Sequence, residues 1–266
     1  MTAPANVTLI RDRAGKTPIE AAIVLGSGLS GIGERLADKT VIPYADLDGF
    51  PGGGVSGHGR ELLIGTLSGR RIAILTGRQH YYEHGDAAAM RIPLETMAGL
   101  GAETLLLTNS AGSLVPDVKP GEVMMLTDHI NFSGTNPLIG EQGDARFVNM
   151  VDAYDPGLRD TAKAVATEEG VDLSEGVYMW FSGPTFETPA EIRLAISLGA
   201  HAVGMSTVPE TILGRFLGLK VWACSSITNM GAGMAAETIS HTQTKQMALI
   251  GAEKLERLIT GLVGRI

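Results

Sequence analysis

The chain has 266 residues, enough to bury a large core in one domain or at most two. Apolar residues make up 44% and charged residues 19%, which excludes an intrinsically disordered chain. A formal net charge of −8, with no basic stripe, argues against a nucleic-acid binder. An anionic ligand would need a locally positive pocket.

The single cysteine, Cys224, lies in the apolar run Val221-Trp222-Ala223-Cys224 and reads as a buried strand thiol. Met1 to Arg13 lacks an apolar core of signal-peptide length, and no apolar run approaches the ~20 residues needed to span a bilayer. A cytoplasmic protein without membrane contact is expected.

In chain order, residues 1–18 read as a loose tail or a short leading helix. Apolar runs then predict strands at Ala21–Leu25, Glu61–Leu67, Arg71–Leu75, Thr104–Thr108, Val123–Thr127, Val177–Phe181, Ala202–Met205 and Val221–Ser226. Helix starts are signalled between them. Thr188-Pro189-Ala190-Glu191 is a capping box with proline at the first helical position, and Thr207-Val208-Pro209-Glu210 repeats that logic. Ser240 and Gln243 open a last amphipathic stretch that runs to about Leu262. The alternation predicts an α/β fold, one domain over residues 1–266 with a mixed, largely parallel sheet flanked by helices.

Ligands in open α/β sheets gather beyond the carboxyl ends of strands. Six predicted strand ends carry polar or glycine-rich segments, including Thr76-Gly77-Arg78-Gln79-His80, Asn109-Ser110-Ala111-Gly112 and Thr228-Asn229. They read as one polar site built from many segments.

Two motifs invite other readings. Gly26-Ser27-Gly28-Leu29-Ser30-Gly31 follows a strand and matches a dinucleotide fingerprint, with Asp46 at about the required separation. The proline in Val41-Ile42-Pro43-Tyr44 weakens the second strand that the fingerprint needs, so an anion-binding turn or a structural turn competes with it. His80-Tyr81-Tyr82-Glu83-His84 matches a zinc-protease signature, but Gly85 leaves little room for the helix such a site requires. A structural loop, or a substrate loop using Arg78 and His80, are the alternatives. Arg suits phosphate through its planar fork of donors, and His adds a second donor. Further along, Glu187 precedes a capped helix and Asn229 follows a strand. Each has a bland reading, as a dipole partner or a turn residue. Paired, they could read a purine edge, Glu187 accepting from N1–H and Asn229 donating to O6 or N7.

Seven ordered segments together carry a resemblance: residues 26–29, 77–83, 108–112, 128–132, 183–188, 204–210 and 227–229. Through them the chain resembles the trimeric purine nucleoside phosphorylases that act on 6-oxopurine nucleosides. The resemblance implies that Ser27, Arg78, His80, Ser206 and the backbone N–H of Ser110 hold phosphate, with His58 as a further candidate. It implies that Tyr82, Met205 and His241 bind the ribose. Phe186, Glu187 and Asn229 would bind the base, with Asn229, Glu187 and His80 carrying the chemistry. Phe147 would close a neighbouring subunit's pocket in a homotrimer. No metal and no organic cofactor are implied, and phosphate is a co-substrate. The sequence departs from the family pattern at Gly57-His58-Gly59-Arg60, at Ser110 where alanine is common, and in the spacing from Met230 to His241.

The implied reaction is reversible phosphorolysis of inosine or guanosine, and their deoxy analogues, to free base and pentose 1-phosphate, a purine-salvage step. A methylthioadenosine phosphorylase is the nearest alternative, which Asn229 and His241 disfavour. A non-catalytic nucleoside-binding protein is the alternative from another class.

Overall fold

The computed structural model describes residues 3–26, 29, 31–52, 59–235 and 241–266, with the backbone alone at 241–246 and 248. Among the described residues nine strands form one sheet: β1 (Ala21–Val24), β2 (Ala37–Pro43), β3 (Glu61–Leu67), β4 (Arg70–Leu75), β5 (Thr104–Ser113), β6 (Val123–Asn131), β7 (Leu173–Trp180), β8 (Ala202–Gly204) and β9 (Lys220–Met230). Their order is β2-β3-β4-β1-β5-β8-β7-β6-β9, and β5 also pairs with β9. That extra pairing closes β5, β8, β7, β6 and β9 into a ring. The ring removes two strand edges that would otherwise stay unpaired. The pairings β1–β4, β1–β5, β5–β9, β6–β7 and β7–β8 are parallel, and the other four are antiparallel.

The predicted strands are all present, and three run further at their carboxyl ends than their apolar cores, β6 as far as Asn131. β5 continues through Asn109-Ser110-Ala111-Gly112, and β9 continues through Thr228-Asn229. These polar segments therefore lie inside strands rather than beyond their ends, which corrects the expectation of six strand termini. Ladder pairing persists because β5 and β9 hold each other in parallel register as far as Ser113 and Met230. β2, which the sequence did not signal as a strand, forms the antiparallel edge next to β3. Its Pro43 is the last strand residue, at an edge where a missing N–H disturbs no inner ladder. Asp46 forms an ion pair with Arg13.

Helices cover both faces. The leading segment is a true helix, α1 (Ala3–Ala14), packed on α4 (Arg91–Gly99). With α7 (Val208–Phe216) they cover one core, in which Ile10, Leu94, Leu107 and Leu213 are buried. α2 (Gly31–Glu34), α5 (Pro156–Glu169) and α8 (His241–Val263) lie over a second core around Ile23, Leu106, Trp222 and Leu258. α3 (Tyr81–His84) is one turn, ended by Gly85 in the left-handed region. α6 (Pro189–Ser197) covers a third, smaller core with Met179 and Val203. Its capping box forms as the sequence predicts: Glu191 N–H donates to Thr188 Oγ1 at 3.2 Å, and Thr188 N–H donates to Glu191 Oε2 at 2.7 Å. The second predicted box does not form, since Thr207 makes no side-chain cap to α7. No helix among the described residues is long and apolar enough to cross a membrane.

Gly26 marks where β1 meets β5. A Cβ there would lie 2.9 Å from Asn109 Cα and 3.0 Å from the Thr108 carbonyl oxygen. Both obstacles are backbone, so the strands would have to part. Gly26→Ala is expected to lower stability by about 1–3 kcal/mol, as overpacking does. A urea midpoint equal to the wild type's would contradict this packing.

Candidate active site

Arg78 follows β4 and is only 1% exposed. Its NH2 group donates to the carbonyls of Val24, at 3.3 Å, and Thr108. Its NH1 group donates to Thr207 Oγ1 at 3.3 Å and lies 3.2 Å from Glu210 Oε1, itself buried. Burying a cation without a counter-charge is costly, and Glu210 in the first turn of α7 supplies that charge. A guanidinium has five N–H donors; three make hydrogen bonds to Val24, Thr108 and Thr207, while the Glu210 carboxylate pairs with it by charge at 3.2 Å without a hydrogen bond. The Nε atom makes no hydrogen bond among the described residues, and neither does Glu210 Oε1. The open two-pronged fork expected for phosphate is therefore already engaged inside the protein.

Thr207 joins the neighbouring groups. Asn109 Nδ2 donates to its Oγ1 at 2.8 Å, and Ser206 Oγ lies 3.1 Å from the same atom. Its backbone has φ 72° and ψ −47°, and Val208 N–H donates to the Ser206 carbonyl at 2.7 Å. This is a γ-turn of the rare, strained kind with positive φ at its centre. Ser206 N–H donates to Tyr178 Oη at 3.3 Å. Gly204 makes room for that phenol, since a Cβ there would lie 2.3 Å from Tyr178 Oη. A small cavity of about 10 Å³ is lined by His80, Met205, Ser206 and Glu210 among others.

His80 enters through α3. Its backbone N–H donates to Glu83 Oε1 at 2.7 Å, and its Nδ1 lies 3.1 Å from the same oxygen. The ring stacks on Tyr82, centroids 4.8 Å apart and planes 13° apart. Burial pushes the Tyr82 hydroxyl up to about 12, so it stays protonated and can donate. Met205 and Tyr82 both pack against Gly183, where a Cβ would lie 2.6 Å from Met205 Sδ and 3.0 Å from Tyr82 Cδ1. The zinc-protease match dissolves here: His80 is engaged by Glu83, and among the described residues no three His, Cys, Asp or Glu side chains gather as metal ligands.

At the other end, Glu187 is half-buried, and its Oε1 has no hydrogen-bond partner among the described residues. Burial raises its pKa above the ordinary value. Its charge also acts on Tyr178, so it lies within electrostatic reach of the phenol that holds Ser206. Asn229 lies over Gly112, whose Cβ would stand 2.9 Å from Asn229 Nδ2. Its Oδ1 accepts from Thr228 Oγ1 at 3.0 Å, and its Nδ2 donates to the Met230 carbonyl at 2.9 Å. One amide N–H remains available beyond that bond. Phe186 is 40% exposed, and Ser110 sits partly buried beside Asn109.

Arg78, His80, Tyr82, Met205 and Ser206 are thus brought together, and the network continues through Tyr178 toward Glu187. Phe147 stands apart, 75% exposed, with the Arg146 guanidinium 4.9 Å above its ring. Ser27 and His58 lie outside the described residues, and His241 is described only as the first backbone residue of α8. Cys224 is fully buried and burial pushes its thiol pKa up, so it is an inert core residue. Five residues of the network were not assigned a role from sequence. Glu83 and Glu210 sit in motifs where they read as a metal-site acid and a cap. Asn109 and Thr207 read as loop and cap residues, and Tyr178 as an ordinary strand residue.

The His80 side-chain hydrogen bond, followed by the backbone N–H bond, holds the Glu83 carboxyl below its ordinary pKa despite partial burial. A lowered folded-state pKa gives stability that is present above the unfolded value and lost as pH falls through the folded one. Acidification below about 4 should therefore lower the wild type's thermal midpoint more than that of Glu83→Gln. Parallel midpoint curves for the two proteins would show that the His80–Glu83 contact carries no such linkage.

Comparison with known proteins places this geometry. Residues 20–264 match the Phosphorylase superfamily. The chain is 41% identical over 230 residues to purine nucleoside phosphorylase 1 of Geobacillus stearothermophilus, covering 85% of this chain and 84% of the relative. Isoform 2 of purine nucleoside phosphorylase from Schistosoma mansoni, solved with cytosine and ribose-1-phosphate, superposes with a TM-score of 0.93 at 34% identity. The match covers 100% of this chain and 96% of that one. A Schistosoma mansoni purine nucleoside phosphorylase solved with inosine gives a TM-score of 0.92 at 32% identity, covering 100% and 98%.

Proposed function

Because the chain belongs to the phosphorylase superfamily, and within it to the purine nucleoside phosphorylases, we propose that it is a pentosyltransferase selective for 6-oxopurine nucleosides. Its reaction is reversible phosphorolysis of inosine or guanosine, and their deoxy forms, to purine base and pentose 1-phosphate. Phosphate is the co-substrate, and no metal or organic cofactor is needed. Residues 1–266 act as one domain, in the cytoplasm. The observation that carries the reading is the contact chain from buried Arg78 through Thr207, Ser206 and Tyr178 toward Glu187 Oε1, which has no hydrogen-bond partner among the described residues. It joins a cationic, hydroxyl-rich end to an acceptor at the other end.

The chemistry follows from where charge develops. As the glycosidic bond stretches, the sugar becomes positive and the departing purine negative. Phosphate, held near Arg78, His80, Ser206 and Ser110, stabilises the sugar cation and then bonds to its anomeric carbon. Ser27 and His58 belong to the same proposed set. Holding both substrates together removes much of the entropic cost of their encounter. Tyr82, Met205 and His241 hold the ribose, and Phe186 stacks on the base. The remaining Asn229 N–H donates to N7 or O6, where the leaving-group charge collects. Glu187 accepts N1–H from a 6-oxopurine. Adenosine presents a bare acceptor there, and a buried carboxylate facing an acceptor is strongly disfavoured.

Hypoxanthine release from inosine is expected with phosphate and absent without it. Asn229→Ala should lower kcat more than it raises KM, because the lost bond acts on the leaving group. Asn229→Asp should shift preference toward adenosine, whose 6-amino group donates to a carboxylate. Unchanged substrate ratios in that variant would reject the base-edge assignment.

A homotrimer completes the proposal, with Phe147 reaching a neighbour's site. An aromatic ring 75% exposed on its own chain supports this, since such a ring gains most when a partner covers it. Light scattering should give three chains per particle, and Phe147→Ala should raise KM for inosine roughly tenfold with the particle intact. A fully active monomer would refute it.

A further inference from the structure

The direction of one hydroxyl hydrogen can be deduced from the buried network. Thr207 is the only β-branched residue at positive φ among the described residues, and it is fully buried. Such a backbone persists only where its surroundings over-determine it. Three polar atoms converge on Thr207 Oγ1: Asn109 Nδ2 at 2.8 Å, Arg78 NH1 at 3.3 Å and Ser206 Oγ at 3.1 Å. A hydroxyl oxygen has two lone pairs and one hydrogen. The amide nitrogen and the guanidinium nitrogen can only donate, so they take both lone pairs. The Thr207 hydrogen must then go to Ser206 Oγ. Ser206 cannot donate back, and its N–H is already directed at Tyr178 Oη.

We propose that Thr207 is a positioning residue that turns the Ser206 hydroxyl hydrogen outward, so that Ser206 meets phosphate as a donor. This rests on the reading that Ser206 contacts phosphate in the proposed phosphorolysis. The strained turn has a role in this account: it brings Thr207 Oγ1 within reach of Asn109, Arg78 and Ser206 together. Without the two obligate donors, the Ser206 hydrogen could fall back on Thr207, leaving a lone pair facing an anion.

The test is steady-state phosphorolysis of inosine by Ser206→Ala, Thr207→Val, Thr207→Ser and the Ser206→Ala/Thr207→Val pair. Thr207→Val keeps the shape and removes the hydroxyl. It should raise KM for phosphate about tenfold or more and leave KM for inosine within about twofold. Thr207→Ser should restore most of the phosphate affinity. In the Ser206→Ala background, Thr207→Val should add little, because it acts through a group already gone. Asn109→Leu is the second variant, useful if Thr207→Val does not fold. It frees one Thr207 lone pair for Ser206 to donate into, so it too should raise KM for phosphate. An unchanged phosphate KM in Thr207→Val or Asn109→Leu overturns the proposal. So does an equal rise in both KM values, or full additivity with Ser206→Ala. A wild-type phosphate KM in Ser206→Ala itself removes the phosphate assignment of Ser206, a failure distinguishable from that of Thr207.

Discussion

The site depends on one buried guanidinium. Arg78 ties together the end of β1 through Val24, the middle of β5 through Thr108, and the start of α7 through Thr207 and Glu210. A cation so enclosed is tolerable only because a carboxylate and main-chain carbonyls replace the water it lost. That arrangement fixes the guanidinium's plane before any substrate arrives. In the proposed phosphate site, Arg78 would then act as a preorganised positive charge whose Nε has no hydrogen-bond partner among the described residues, rather than as an open fork. The chain can therefore be acidic overall, at −8, and still present a positive point where phosphate is proposed to bind.

Two carboxylates among the candidate site segments are pushed in opposite directions. Glu83 accepts hydrogen bonds from His80 and is held below its ordinary pKa. Glu187 has lost water without gaining a full set of partners, and burial raises it. The same residue type is thus given two characters by its surroundings, a pattern that often divides roles within an active site. Glu83 is settled by contacts within its own one-turn helix and orients a ring. Glu187 Oε1 has no partner among the described residues, which suits its proposed role as acceptor of a base N–H.

The strand cores were legible because they are continuous apolar runs buried on both faces; Ala21–Val24 is wholly buried. The capping box at Thr188 was legible because its signal is local. What hid was non-local. Asn109 and Thr228 look like residues that end strands, yet they extend β5 and β9, because their side chains find buried partners in Thr207 and the Ala111 carbonyl. Closure of the ring by β5–β9 pairing has no mark in either strand. At the site, Arg78, His80 and Glu187 could be singled out by residue type and motif. Glu210 could not, because Pro-Glu after Thr207 reads as a helix start, which it also is. Thr207 misled for a physical reason: a good N-cap residue was placed where its hydroxyl is consumed by Asn109 and Arg78 instead of by α7.

Small residues let side chains from separate segments approach the backbone closely. Gly112 lies beneath the Asn229 amide, Gly204 beneath the Tyr178 hydroxyl, and Gly183 beside both Met205 and Tyr82. In each case a Cβ would occupy space the functional side chain now fills, at 2.3–2.9 Å from its nearest atom. These glycines are needed for close approach, and Gly112 and Gly204 belong to strands of the closed ring. Placing polar groups on the ring has a consequence for preorganisation. Asn109 pairs with Ser225 and Asn229 with Gly112 across the β5–β9 ladder, so both start from backbone positions set by that pairing.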